Sequence, residues 1–223
     1  MGIFRRRRGE RGAAAVEFAL VLPLLLTFLL GTVELGLYMK DYVSMSSSVR
    51  AGARSASAAA DAGPGTCEAS GPTPPPCTPA NAPGFAQAAA DTMQTAGMAM
   101  NSKDIQWVMI YKANAAGFPG TGSSIPETCP DNCVKYVWDA GLNAGKGRFR
   151  YAEGAWASAS VNACVNDATR ESVGVVLRAN HDWMTNLVGG LMGGNKVMNE
   201  RTVMQFEPLE QDRCKPGTPN AHK

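Results

Sequence analysis

The sequence predicts an α+β fold in which a long amino-terminal transmembrane helix continues into a domain built on an antiparallel sheet. The 27 residues from Ala13 to Met39 carry only two charged side chains, Glu17 and Glu34. As a helix they span about 40 Å, which exceeds the roughly 30 Å hydrocarbon core of a bilayer. Beyond residue 84, segments of strand composition outnumber helical ones and the turns between them are short, which predicts the sheet.

The positive charge of the chain is concentrated in residues 1–12. This leader holds five of the 21 basic and one of the 19 acidic residues, which leaves 16 basic against 18 acidic residues in the remainder. Local basicity of this kind argues against a nucleic-acid partner. An arginine run can also be a nucleic-acid or nuclear-import patch. Directly before a long apolar segment, it instead marks the cytoplasmic end of a membrane helix, by the positive-inside rule.

The transmembrane segment 13–39 is predicted to continue as a helix through residues 40–60. No proline occurs between Asp41 and Ala60. Five residues of this stretch recur at the spacing of one helical face: Tyr42, Met45, Val49, Ala53 and Ala56. The two segments together predict one continuous helix of about 45 residues, with Pro23 in its membrane part. The glycines and proline at residues 61–65 are predicted to end it.

The remainder divides into a loop at residues 61–84 and a domain at residues 85–223. The loop is rich in proline, glycine and cysteine and has few large apolar side chains. A second helix is predicted over residues 85–100, and a short helical signal returns at 181–192. The residues of the second helix predicted to face the core are Phe85, Ala88, Ala89, Met93, Ala96 and Met100. Strands are predicted at residues 105–112, 134–138, 149–152, 173–179 and 203–206.

All six cysteines follow the membrane segment: Cys67, Cys77, Cys129, Cys133, Cys164 and Cys214. An even number on one side of the membrane fits disulfides in an oxidising compartment. The pair Cys129 and Cys133 is also compatible with half of a metal site, but a zinc site needs further ligands and the chain has only two histidines. We therefore predict disulfides. The favoured pairing joins residues 67 and 77, 129 and 133, and 164 and 214.

The boundary between the leader and the apolar segment has the layout of a prepilin processing site. Gly12 is a small residue at a charge-to-apolar boundary, and Glu17 follows five residues later. Cleavage after Gly12 would leave Ala13 as the new amino terminus, and it requires an exposed, extended peptide there. A conventional signal peptide is a weaker alternative, because no clear cleavage site follows the apolar segment. An uncleaved signal anchor remains a serious one.

The residues from 9 to 60 resemble the TadE family, the minor pilins or pseudopilins of the tight-adherence (Tad/Flp) pilus machinery. The resemblance is carried by the sequence AVEFALVLPLLL at 15–26, by GTVELG at 31–36 and by AGAR at 51–54. It implies a type IV pilin-like fold and a structural role in pilus assembly and surface adherence. It also implies a single-pass protein of the bacterial inner membrane, with a cytoplasmic amino terminus and a periplasmic or extracellular domain.

The resemblance further implies partners and a role for Glu17. The expected partners are a prepilin peptidase, other pilins, the Tad inner-membrane assembly proteins and the lipid bilayer. In pilins the carboxylate at this position pairs with the amino terminus of a neighbouring subunit. The alternative is a membrane-anchored periplasmic adhesin or scaffold that is never cleaved, in which Glu17 only lies among lipid headgroups.

An enzymatic function has little support in the sequence. No nucleophile-elbow, P-loop or dinucleotide motif is present, and no catalytic residue, cofactor or metal is predicted. His181 is interpreted as a surface or capping residue. The four tryptophans at positions 107, 138, 156 and 183 are interpreted as core residues. If two or more of them were exposed on one face, binding to a glycan or a surface would gain support.

Overall fold

The computed structural model describes residues 10–65, 81–95, 100–165, 170–185, 189–190 and 193–210. The chain divides into two compact units. The first contains Met1–Met39 and Asp182–Asn195, and the second contains Lys40–His181 and Lys196–Lys223. Each unit is described separately below.

Helix α1 (Glu10–Ala58) is continuous and includes Pro23, which confirms the predicted long helix. Its alanine and leucine residues have high helix propensity. The hydroxyl of Thr27 donates a hydrogen bond to the carbonyl of Pro23 (2.8 Å). The helix ends in a turn at residues 59–61, and Gly63 follows with a φ of +68°. This left-handed conformation is one that glycine adopts without steric cost, so the predicted breaker is confirmed.

The second unit contains a five-stranded sheet in the order β3-β2-β1-β4-β5, in which every neighbouring pair is antiparallel. The predicted antiparallel sheet is therefore confirmed. Its strands are β1 (Ile105–Ala113), β2 (Cys133–Asp139), β3 (Arg148–Ala155), β4 (Ser172–His181) and β5 (Lys196–Gln205). Two short 3₁₀ helices, Ser102–Asp104 and Ser158–Ser160, lie in the connections.

Strand β5 begins seven residues earlier than the sequence predicts. The predicted segment 203–206 is only its last part, since β5 pairs with β4 from Lys196 onwards. Four successive polar or charged residues occupy its middle, from Asn199 to Thr202, and most of its side chains are exposed or half-buried. An edge strand of this composition carries a weak hydrophobic signal, and its pairing with β4 determines its conformation.

The helical signal predicted at residues 181–192 is wrong at its beginning. His181 is the last residue of β4, and residues 182–185 are not helical. Among the described residues of this stretch, helical conformation occurs at Gly189 and Gly190. Pairing of His181 with Lys196 in the β4–β5 ladder overrides the local preference.

Helix α2 (Gly84–Thr95) occupies most of the second predicted helix. Phe85, Ala89 and Met93 are buried as predicted, whereas Ala88 is half-buried. Met100 is buried beyond the end of α2, and the predicted core position Ala96 lies outside the described residues.

The part of α1 in the second unit, from Lys40 onwards, packs closely on α2 through small side chains. Four of the five residues predicted at helical spacing are buried, and Tyr42 is the exposed exception. A Cβ atom at Gly52 would lie 2.6 Å from Cγ of Met93. The hydroxyl of Thr92 donates a hydrogen bond to the hydroxyl of Ser55 (3.0 Å). The narrow alanine- and serine-rich face thus brings the two helices together.

Aromatic side chains form several groups in the described core of the second unit. Trp107, Met109 and Tyr111 from β1 form a buried cluster with Cys133 and Val176. A second group contains Phe85, Trp156 and Phe206, whose rings meet edge to face at centroid distances of 5.0–6.1 Å. Aromatic pairs favour this geometry, which adds to the stabilisation from the area they bury.

Candidate functional site

The apolar surface of α1 is the most prominent exposed feature of the first unit. An 18-residue window of this helix has a mean hydropathy of 2.3 and none of it is buried, so α1 is long and apolar enough to cross a membrane. Leu20 is 75% exposed and Phe28 is 66% exposed. Soluble monomers rarely expose a contiguous apolar patch beyond a few hundred Å². A surface of this kind is typical of a helix that contacts a membrane or other proteins.

The predicted processing junction lies in the first turns of α1. Gly12 and Ala13 are both exposed, and no atom lies within 4 Å of the position that a Cβ of Gly12 would occupy. The junction is helical in the free chain, whereas a peptidase is expected to need an extended peptide there. The three alanines after Gly12 favour this helical conformation, because alanine has the highest helix propensity of any residue. Cleavage would require this first turn to unwind in the peptidase.

Glu17 is exposed one helical turn beyond Ala13. Residues four apart in a helix lie on the same face, so the carboxylate follows the new amino terminus that cleavage would create. Within the part of the chain that the structure describes, no hydrogen bond or ion pair to Glu17 is found. Its carboxylate is therefore open to a group from outside these residues.

Glu34, the other carboxylate of the apolar segment, has a role that the sequence did not reveal. It is only 1% exposed. Its Oε2 accepts a hydrogen bond from the backbone N–H of Met184 (3.0 Å), and its Oε1 accepts one from Thr185 (2.6 Å). A carboxylate within an apolar segment is costly unless it has a partner. This cost was the only feature of the sequence that could indicate a partner for Glu34. The partner lies 150 residues away in the chain, so sequence spacing could not identify it.

Tyr38 and Trp183 stack close to this pair of hydrogen bonds. Their ring centroids are 6.0 Å apart and their planes differ by 16°. The indole Nε1 of Trp183 donates to the carbonyl of Gly194 (2.8 Å). Tyr38 lies four residues after Glu34, so one face of α1 carries both groups that contact the 183–185 segment.

The four tryptophans are all described, and none of them is exposed. Trp107 and Trp156 are buried, whereas Trp138 and Trp183 are half-buried. The exposed aromatic face that would have favoured surface binding through tryptophan is therefore not present.

The predicted disulfide between Cys129 and Cys133 is confirmed, and it joins the β1–β2 connection to the start of β2. This bond excludes the alternative in which the pair is half of a metal site. Cys164 is also disulfide-bonded. Its predicted partner Cys214 lies outside the described residues, as does the predicted pair Cys67 and Cys77.

His181 is buried, so its interpretation as a surface or capping residue is wrong. It is 3% exposed, and its Nδ1 lies 2.7 Å from Oδ2 of Asp41 on α1. The adjacent Asp182 is exposed. The extension of β4 carries the imidazole inward, and Asp41 supplies the hydrogen-bonding partner that a buried polar group needs.

Together these features define an α+β protein with an amino-terminal membrane-spanning candidate helix and an antiparallel sheet domain. Residues 12–54 match the model of the TadE-like protein family, so the amino-terminal segment is TadE-like. The match confirms the resemblance at the apolar segment and at residues 51–54, and the sheet domain lies outside it. No curated protein and no solved structure is found to match the chain.

Proposed function

We propose that the chain is a non-enzymatic minor pilin, or pseudopilin, that acts in the assembly of a Tad pilus and in surface adherence. The observation that carries this proposal is the exposed carboxylate of Glu17 on an exposed apolar helix inside the TadE-like segment. TadE-like proteins belong to a pilus system, and that family is generally non-enzymatic.

The proposed mechanism begins with cleavage between Gly12 and Ala13 by a prepilin peptidase. Cleavage removes the basic leader and creates a positive α-amino group on Ala13. The carboxylate of Glu17 then pairs with the α-amino group of a neighbouring subunit, because both groups are costly to leave unpaired at a membrane edge. The apolar surface of α1 packs against the helices of other pilins as the subunits leave the bilayer, and the pairing fixes their axial register.

This function places the protein in the bacterial inner membrane with its amino terminus in the cytoplasm. Five arginines before the apolar segment and disulfides after it support this orientation. The proposed partners are the peptidase, other pilins, the Tad inner-membrane assembly proteins and the bilayer itself.

The substitution Glu17→Gln tests the proposed pairing. It removes the charge while preserving the size of an exposed side chain, so we expect normal membrane insertion and cleavage but loss of incorporation into the pilus. Incorporation is measured by co-purification with sheared pili, and cleavage by amino-terminal sequencing. Glu17→Asp is the matched control, because it retains the negative charge and should retain more incorporation. Normal piliation and co-purification in the Glu17→Gln strain would contradict the pairing.

Glu34→Gln is expected to have a milder effect on incorporation, because Glu34 lies at the opposite edge of the apolar segment. The structure predicts that this variant also weakens the hydrogen bonds that Glu34 accepts from Met184 and Thr185. The amide keeps one oxygen that can accept from Met184 or Thr185, but it presents an N–H₂ group to the other backbone N–H. Its effect should therefore be local to residues 183–185.

The alternative function is an uncleaved membrane-anchored scaffold or adhesin in the periplasm. The helical conformation of α1 at Gly12 favours this alternative, because an intact helix is a poor protease substrate. Amino-terminal sequencing of protein purified from membranes of peptidase-competent cells distinguishes the two. A terminus at Ala13 supports the pilin, and a terminus at Met1 supports the anchor.

A further inference from the structure

We propose that the described residues of the β4–β5 connection, 183–185, 189–190 and 193–195, belong to a membrane-interface loop that rests in the headgroup region of the bilayer beside α1. This proposal depends on α1 crossing a membrane, which is part of the function proposed above. The occupant to which we commit is the lipid surface. The protein would then contact the bilayer at two places, through α1 and through this loop.

The sequence of the loop is suited to a lipid interface. Residues 183–195 contain no charged side chain, whereas Asp182 and Lys196 stand at its two ends. Met184 is 72% exposed, which places an apolar side chain in water unless lipid covers it. An uncharged segment that presents apolar side chains between charged ends is favoured at the boundary between headgroups and acyl chains.

The loop is held to the end of the apolar segment of α1. Glu34 accepts hydrogen bonds from the backbone N–H groups of Met184 and Thr185. Backbone N–H groups of a loop are costly near hydrocarbon unless they are satisfied within the protein. The carboxylate satisfies two of them, and they in turn compensate the charge of Glu34, which is itself costly near a membrane.

The aromatic pair supports the same location. Tyr38 and Trp183 stack within one turn of α1 from Glu34. Tryptophan and tyrosine are enriched where membrane proteins meet the lipid headgroups, because their rings are apolar and each has one polar group. The polar group of Trp183, its Nε1–H, is bonded to Gly194, so its ring can approach the acyl chains without an unsatisfied donor.

Glycines at positions 189, 193 and 194 allow close contacts among the described residues of the loop. Gly193 and Gly194 have φ values of +83° and +93°, a region that other residues rarely adopt. The N–H of Gly194 donates to the carbonyl of Gly189 (2.7 Å). A Cβ atom at Gly189 would lie 3.4 Å from the ring of Trp183. These contacts bring Gly189, Gly194 and the ring of Trp183 together, and Trp183 in turn stacks on Tyr38 of α1.

The test is tryptophan quenching in vesicles of phosphatidylethanolamine and phosphatidylglycerol. Full-length protein is reconstituted at low density into vesicles whose acyl chains carry bromine close to the headgroups or close to the bilayer centre. The signal of Trp183 is the difference between the wild type and Trp183→Phe, which keeps an aromatic ring against Tyr38. We expect the shallow bromines to quench the larger share of this signal and the deep bromines to quench little of it.

Met184→Asp should reduce the quenching of Trp183, because it places a charge where the loop meets lipid, whereas Met184→Leu should leave it unchanged. An unquenched Trp183 in protein that floats with the vesicles would overturn the proposal, because it would show that lipid does not contact the loop. Equal quenching in Met184→Asp and the wild type would overturn the placement of Met184 in lipid. Protein that fails to float would instead overturn the membrane anchor.

Discussion

At the scale of single residues, the two carboxylates of the apolar segment differ in their surroundings. Glu17 is exposed, whereas Glu34 is almost completely buried and accepts hydrogen bonds from the backbone N–H groups of residues 184 and 185. A carboxylate in or near a membrane is costly unless it is paired, so both residues need a partner. Glu34 finds its partner within the chain, whereas the proposed function pairs Glu17 with a group of another subunit.

Gly12→Val tests the processing step at this scale. No atom of the described chain lies within 4 Å of a Cβ at Gly12, so valine does not clash within the protein. Any effect must therefore arise in the peptidase, where the β-branched side chain would obstruct the cleavage position. We expect the uncleaved precursor to accumulate in peptidase-competent cells, as measured by gel mobility and amino-terminal sequencing.

The matched control is Gly36→Val, which makes the same substitution in the same helix at another position with no atom within 4 Å. It should be cleaved normally. Cleavage of Gly12→Val after residue 12 at the normal rate would contradict the assignment of the junction.

At the scale of elements, close packing between α1 and α2 depends on the absence of a side chain at Gly52. A Cβ there would lie 2.6 Å from Cγ and 2.8 Å from Sδ of Met93, which is itself fully buried. We expect Gly52→Ala to destabilise the domain by about 1–3 kcal/mol, as overpacking of a core does. The measurement is denaturant unfolding of the full-length protein in detergent, followed by tryptophan fluorescence.

Met93→Ala alone leaves a cavity and should also destabilise the domain. In the double variant, the alanine at residue 52 can enter the space that Met93 has vacated. A double-mutant cycle should therefore show a favourable coupling between the two sites of at least about 0.5 kcal/mol. Strictly additive effects would show that the close approach does not limit the packing of the helices.

The sequence predicted most of the elements, and the exceptions have a common physical origin. Helix α1 and strands β1 to β4 have strong apolar patterns that match their burial. The first half of β5, the inward position of His181 and the contact of Glu34 with residues 184 and 185 were not predicted. Each depends on a partner that is distant in the chain, namely β4, Asp41 or the β4–β5 connection. Local composition carries no information about such partners.

At the scale of the whole molecule, stability should fall at alkaline pH because of buried tyrosines. Burial raises the pKa of Tyr136 well above its ordinary value near 10, and the charges of Asp91 and Tyr151 raise it further, against the lowering effect of Arg148. Burial also raises the pKa values of Tyr111 and Tyr151. The folded state therefore retains phenolic protons that the unfolded chain releases above about pH 10.

The stabilisation by these protons is complete below pH 10 and is lost as the pH rises above it, by about 1.4 kcal/mol per pH unit for each tyrosine that stays protonated only in the folded state. We expect Tyr136→Phe to make the decline in unfolding free energy between pH 10 and 11.5 shallower by about one such contribution. The exposed Tyr42→Phe is the control and should follow the wild type. An identical slope for the wild type and Tyr136→Phe would contradict the assignment.

The orientation of the whole chain across the membrane is the last prediction. Five arginines between residues 5 and 11 precede the apolar segment of α1, and the positive-inside rule retains such residues in the cytoplasm. The disulfide between Cys129 and Cys133 and the bonded Cys164 follow α1, and such bonds persist in oxidising compartments outside the cytoplasm. A reporter enzyme that is active only outside the cytoplasm should therefore be active when fused after Lys223 and inactive when fused before Met1. An inactive reporter on a stable, membrane-inserted carboxyl-terminal fusion would reverse the orientation. It would also remove the basis for pairing Glu17 with an amino terminus released on the cytoplasmic side.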